Sequence, residues 1–108
     1  MSDQGVRVTF ENLKRAVNGN ILGRIRLKWI ENIDHRDVQL VNVAKDFDFK
    51  DEEQIFNESF DVRAVRVTVN AKLFKRDDSH VCVTGRVEGK ALGFAAHKDL
   101  DNNCAAIP

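Results

Sequence analysis

Three pairs of aspartates lie in separate segments of the chain, each beside the expected end of a strand. The three pairs are Asp46 with Asp48, Asp77 with Asp78, and Asp99 with Asp101. If the strands simply run up and down, all three pairs fall at one end of the fold. Calcium takes about six to eight oxygen ligands and tolerates irregular geometry, so the sequence predicts a candidate calcium site there. The alternative is that these carboxylates are solvated turn residues.

Basic side chains occupy the outward positions of three expected strands. They are Arg24, Arg26, Lys28, Arg66, Lys72 and Arg86. These residues would form one basic face if their strands were neighbours, and such a face could bind phosphate or a sulfated sugar. The alternative is that they keep the solvent side of a sheet soluble and unpaired.

The chain lacks the residue patterns of known catalytic sites. His35, His80 and His97 lie in three separate regions, and there is no Gly-x-Ser-x-Gly elbow, phosphate loop or dinucleotide fingerprint. We therefore expect a protein that is not an enzyme and has no cofactor apart from the calcium considered above, although folding can bring distant groups together. Cys82 and Cys104 are too few for a disulfide framework or a zinc site. Cys82 has outward parity and is a surface thiol, a covered residue, or bonded to Cys104.

Alternating apolar residues define the elements that must position these groups. The alternations over Val65–Leu73 and Val81–Val87 have the period of two that is typical of strands, and they predict a hairpin. One register of that hairpin sets Leu73 opposite Val81 and Arg66 opposite Glu88.

Four further segments are predicted as strands: Val6–Phe10, Ile21–Trp29, Val38–Val43 and Ala91–Ala95. Trp29 has inward parity, which favours a core position, and the change of parity within Val38–Val43 indicates a bulge or a strand covered on both faces. Between the strands we expect a helical turn or loop over Glu11–Val17, a polar connection over Glu31–Asp37 and a short helix from Asp51. The tail from Lys98 is expected to be polar. This pattern predicts an all-β, single-domain antiparallel sandwich of about seven strands over residues 1–108, with a small barrel as the alternative.

The composition limits the partners. Lys and Arg number 17, as do Asp and Glu, so the net charge is zero and the composition argues against nucleic acid as a ligand. The segment Met1–Gly5 does not resemble a signal peptide, and no apolar run is long enough to span a membrane. We therefore expect a cytoplasmic protein, with secretion after removal of a leader left open. Sheet edges make a homo-oligomer plausible.

Two functions follow from this reading. The first is a non-catalytic recognition module that binds a protein or a glycan through loops or a sheet face. The second is a module that binds a membrane or a ligand through calcium held at the acidic end.

Overall fold

The computed structural model describes residues 5–101 and 103–108, which form eight β-strands in two antiparallel sheets. The strands are β1 (Gly5–Arg15), β2 (Ile21–Ile33), β3 (Arg36–Phe49), β4 (Glu52–Val62), β5 (Val65–Asp77), β6 (His80–Ala91), β7 (Phe94–Asp99) and β8 (Asn103–Ala106). The first sheet has the order β1-β2-β3, and the second has the order β4-β5-β6-β7 with β8 also paired to β6. Met1–Gln4, on which the signal-peptide reading rests, lie outside the described residues.

The core lies between the two sheets, as the alternation of apolar residues predicts. Val67 and Leu73 on β5 are fully buried, and so is Trp29 on β2 of the facing sheet. The tip of the Trp29 ring lies so close to β6 that a Cβ at Gly89 would be 3.2 Å from it. The indole nitrogen donates a hydrogen bond of 3.1 Å to Glu31, which satisfies its polar atom. The predicted β-sandwich and the core position of Trp29 are confirmed, with eight strands in place of about seven.

The predicted hairpin is present as β5 and β6, but its register differs by two residues from the predicted one. Leu73 lies opposite Val83, and Arg66 lies opposite Lys90. The strands extend further into the turn than expected, with an irregularity between Lys75 and Asp77, so the pairing slides while each side chain keeps its face. The predicted Arg66–Glu88 pair is therefore wrong. Arg66 instead forms an ion pair of 3.4 Å with Asp61 on β4.

The change of parity in β3 marks a bulge, which is one of the two structures that the pattern indicates. Val41 lies opposite Trp29, whereas Gln39 lies opposite Ile30, so Leu40 is the extra residue. Leu40 and Val41 are both buried. The bulge thus lets two neighbouring residues face the core.

The helical turn or loop expected over Glu11–Val17 and the short helix expected from Asp51 are both wrong, because strand occupies most of each segment. Strand β1 continues through Glu11 to Arg15 with an irregularity at Asn12, whose φ of 55° is left-handed. Strand β4 begins at Glu52, where a helix was expected. In both segments pairing with a long neighbouring strand supplies the backbone hydrogen bonds that an isolated helical turn would have provided. The expected polar connection at Glu31 is likewise replaced by strand, because β2 runs to Ile33.

The carboxyl-terminal part of the chain is more structured than its composition indicates. Strand β6 runs to Ala91, and the last predicted strand is displaced to β7. Leu100 and Ile107, in the tail that we expected to be polar, are buried. Their amides donate hydrogen bonds to Gly85 (2.9 Å) and Ser79 (2.7 Å), which anchor both ends of the β8 segment.

A disulfide joins Cys82 on β6 to Cys104 on β8. The two residues lie directly opposite each other in the strand pair, with their Cα atoms 4.0 Å apart. Cys82 does have outward parity, but it is only 1% exposed. Of the three states considered for Cys82, the structure has the bond to Cys104.

Candidate functional site

The six predicted basic residues do not form one face. Arg24, Arg26 and Lys28 lie on β2 in the three-stranded sheet. The other three, on β5 and β6, belong to the five-stranded sheet. Because the two sheets pack through their inner faces, their outward residues point to opposite sides of the sandwich. The condition for a merged basic face is therefore not met.

Most of these basic residues have an acidic neighbour on an adjacent strand. The ion pairs are Arg24–Asp46 (2.8 Å), Arg26–Glu11 (3.5 Å), Arg66–Asp61 (3.4 Å), Lys72–Glu52 (3.4 Å) and Arg86–Asp99 (3.1 Å). The hydrogen bond from Arg24 holds the pKa of the Asp46 carboxyl below its ordinary value. That pair stabilises the fold above the ordinary pKa of Asp and ceases to do so as the pH falls through the lowered pKa. Charge balance across strands thus replaces the predicted basic patch.

The acidic segments likewise have local partners. Asp48 accepts a hydrogen bond of 2.8 Å from Asn20, and Asp77 accepts one of 2.7 Å from the amide of Ser79. Asp77 also pairs with His80 at 3.0 Å, and that contact is the main cause of its lowered pKa. The backbone carbonyl of Asp78 accepts from Arg15. Across residues 5–101 and 103–108, no three His, Cys, Asp or Glu side chains lie together as a metal site would require.

One acidic pair does line a concavity. Asp99 and Asp101 border an open groove of about 420 Å³ on the outer face of the five-stranded sheet. Its lining residues are Thr68, Asn70, Thr84, Gly85, Arg86, Glu88, Asp99 and Asp101, and we call this the sheet groove. Strands β5 and β6 supply its floor, and the end of β7 with the segment after it supplies one wall.

The wall of the sheet groove arises where the chain leaves the sheet. Pairing of β7 with β6 ends at Asp99 opposite Arg86, and Leu100 then turns into the core. Asp101 returns to the outer face, where its carboxylate accepts hydrogen bonds from the Thr84 hydroxyl and, at 3.4 Å, from the amide of Gly85. The burial of Leu100 therefore positions the carboxylate of Asp99 on one side of it and that of Asp101 on the other.

Gly85 allows β5 and β6 to approach closely beneath the groove. Its φ is 148°, and a Cβ built there would lie 2.1 Å from the backbone oxygen of Asn70. A backbone atom cannot move aside as a flexible side chain can. Only glycine fits this position without a shift of one strand.

We expect Gly85→Ala to destabilise the protein by about 1 to 3 kcal/mol, because it adds both a steric clash and an unfavourable backbone conformation. Urea unfolding followed by circular dichroism measures the loss. Gly93→Ala is the matched control, since Gly93 also has a positive φ (78°) but a Cβ added there would have no atom within 4 Å. Equal losses in the two variants would show that the close approach at Gly85 contributes nothing.

The sheet groove is rich in hydrogen-bonding groups with fixed positions. The Arg86 guanidinium lies 3.1 Å from Asp99 and 3.6 Å from Glu88, and Asp99 raises the pKa of Arg86. Asn70 accepts a hydrogen bond of 2.9 Å from Gln54, and Thr68 shares one of 3.1 Å with Ser59. Such an arrangement of paired charges, amides and hydroxyls can bind a neutral polar ligand by hydrogen bonds.

Part of this site is predictable from the sequence. Arg86, Asp99 and Asp101 are all candidate binding residues there, but they belong to two different hypotheses. Thr68, Asn70, Thr84 and Glu88 are not among the predicted site residues, although their outward parity on neighbouring strands is visible. The correct register would have placed Asn70 beside Arg86.

No helix that is long and apolar enough to cross a membrane occurs in the part of the chain that the structure describes. Comparison of the chain with protein-family models, with curated proteins and with solved structures gave no match.

Proposed function

We propose that the protein is a non-catalytic recognition module that binds a glycan or a protein through the outer face of its five-stranded sheet. The observation that carries the proposal is the sheet groove, a concavity that polar residues line on every side apart from Gly85, with Asn70 and Arg86 held by hydrogen bonds. A rigid sheet that presents fixed donors and acceptors loses little conformational entropy on binding.

A glycan is the ligand that suits this groove best. Neighbouring hydroxyls of a sugar can each donate to a carboxylate and accept from a guanidinium, and Asp99 and Arg86 lie 3.1 Å apart. Asn70 and Thr84 add an amide and a hydroxyl on the adjoining strands. The groove is short of aromatic surface, so we expect weak binding, with a dissociation constant of about 0.1 to 1 mM.

A glycan array followed by titration calorimetry tests the proposal. We expect Arg86→Ala to remove most of the binding, because it deletes the central donor of the groove. Arg24→Ala is the matched control, since Arg24 is a similarly exposed arginine that pairs with Asp46 on the other sheet. Unchanged binding in the Arg86 variant would place the ligand elsewhere, and the absence of any glycan ligand would overturn the glycan form of the proposal.

The calcium hypothesis stays a prediction. Thermal unfolding with and without calcium, against a sodium chloride control of equal ionic strength, measures it directly. If calcium binds at the sheet groove, we expect the rise in melting temperature that it causes to be lost in the Asp99→Asn, Asp101→Asn double variant. If calcium binds beside β3, we expect that rise to be lost in the Asp46→Asn, Asp48→Asn double variant.

A further inference from the structure

A second cavity lies at one end of the sandwich, between two hairpin turns that belong to different sheets. The β2–β3 turn and the β4–β5 turn both border it, and its volume is about 380 Å³. The lining residues are Ile33, Asp34, Arg36, Val38, Arg63 and Val65, and we call this the turn-end cavity. None of them lines the sheet groove.

The two arginines of this cavity differ from the other arginines of the chain. Arg36 and Arg63 are exposed, and neither has an ion pair or a side-chain hydrogen bond with any residue in 5–101 or 103–108. Each of the remaining seven arginines has an interaction partner. Because every other described arginine has a partner, two unpaired guanidinium groups at one cavity point to an anion as the missing partner.

The floor of the turn-end cavity is apolar. Val38 is 9% exposed, Val65 is 3% exposed, and Ile33 beside them is partly buried. Asp34 is the single acidic lining residue, so the cavity carries two positive charges and one negative charge. A singly charged anion with an apolar body fits this combination better than a doubly charged, fully hydrated phosphate.

The backbone of the turns supports a binding role for Arg63. Arg63 and Ala64 have φ values of 48° and 66°, and Asp34 and His35 have values of 52° and 67°. Two-residue turns with both φ values positive favour Asn-Gly, because other residues are strained there. An arginine in such a turn costs stability, and backbone strain of this kind is concentrated at binding and active sites.

We propose that the turn-end cavity binds a carboxylate that is attached to an apolar body. The guanidinium groups of Arg36 and Arg63 hold the carboxylate from the two sheets, and Ile33, Val38 and Val65 receive the apolar part. A fatty acid and the carboxyl terminus of a peptide that ends in an aliphatic residue share this chemistry. No residue of this site lines the sheet groove, so binding at the two sites is tested separately.

Titration calorimetry with octanoate and with N-acetyl-leucine tests the proposal and distinguishes the two sources. Octanol and N-acetyl-leucine amide are the uncharged controls. We expect at least one of the acids to bind, and its uncharged counterpart to bind about tenfold more weakly or not at all. Failure of both acids to bind, or equal binding of the uncharged analogues, would overturn the proposal.

Single substitutions distinguish an effect on binding at the cavity from an effect on the stability of the fold. We expect Arg63→Asn to weaken binding of the acid about tenfold while it raises the melting temperature, because asparagine suits the left-handed turn. Asp34→Asn should strengthen binding, since it removes the one opposing charge. Arg76→Ala is the control, because Arg76 lies near a different hairpin turn and pairs with Asp77 at 3.6 Å. Wild-type affinity in the Arg63→Asn variant would contradict the assigned site even if the acid binds.

Discussion

Val67→Asp is expected to abolish folding, whereas Asn70→Asp on the same strand is expected to leave the protein folded. Val67 is fully buried between the sheets, so the new carboxylate would lose its hydration without gaining a partner. That penalty is several kcal/mol, which is comparable with the total stability of about 5 to 15 kcal/mol of a small domain. Asn70 is exposed on the opposite face and lies across from Arg86, so the same charge would be solvated and paired.

Circular dichroism and the soluble yield of the two variants provide the measurement. Ile25→Asp repeats the test on the facing sheet, where Ile25 is 1% exposed, and we expect it to fail in the same way. A cooperative thermal transition in either core variant near that of the wild type would mean that the sheets do not pack as the structure has them.

Cys104→Ser is expected to lower the free energy of unfolding by about 3 kcal/mol. The bond to Cys82 spans 22 residues, and closing a loop of that size in the unfolded chain has an entropic cost of this order. The variant also frees β8, which has only four paired residues to hold it on β6. We expect the amides of residues 103–106 to lose protection from hydrogen exchange first.

Chemical denaturation with and without a reductant measures the effect, with the Cys104→Ser variant as the control that should not respond to reduction. To learn whether the bond is formed in the native source, the protein is purified from it and alkylated with and without prior reduction. The difference in mass between the two samples shows whether the cysteines are bonded. Disulfides persist in oxidising compartments, so that measurement also separates the expected cytoplasmic location from secretion after removal of a leader. A wild-type protein whose stability does not change on reduction would contradict the stabilising role.

The sandwich was predictable because its physical basis is local. A period of two is visible in β2, β5 and β6, and the residues that it assigns to one face, such as Leu27 and Val69, are those that the core buries. The irregularity in β3 is visible for the same reason, since the change of parity indicates either a bulge or a strand covered on both faces, and the structure has the bulge. The segments at Glu11 and Asp51 carry no such pattern, so the sequence indicates a helical turn or loop at the first and a short helix at the second, whereas pairing with distant strands decides the structure.

The strand register, the burial of the tail and the disulfide depend on which distant segments pair, and the local sequence pattern does not show that. The register of β5 and β6 had several solutions of equal parity, and the observed one follows from the irregularity beside their turn. Leu100 and Ile107 are isolated apolar residues in a polar tail, so their burial follows from where β8 meets β6. The disulfide has the same origin, because Cys82 and Cys104 become neighbours only through that strand pair.

The candidate sites were only partly predictable, because they too depend on which strands are neighbours. Acidic and basic residues are recognisable in the sequence as binding groups, but their partners across strands are not, so Asp99 and Arg86 fall into separate hypotheses. The turn-end cavity was missed altogether. Arg36 and Arg63 are ordinary turn residues in the sequence, and they become notable only because the fold brings them to one cavity without an acidic partner.

The bond between β6 and β8 also determines how the molecule responds to mechanical load. A pull on the chain beyond β8 would otherwise peel that short strand from β6 one residue pair at a time, which requires little force. Because Cys104 is joined to Cys82, the load passes directly into β6, a strand that is paired with β5 along most of its length. Rupture must then break many hydrogen bonds together. We therefore expect this end of the chain to resist a pulling force better with the disulfide intact than after reduction.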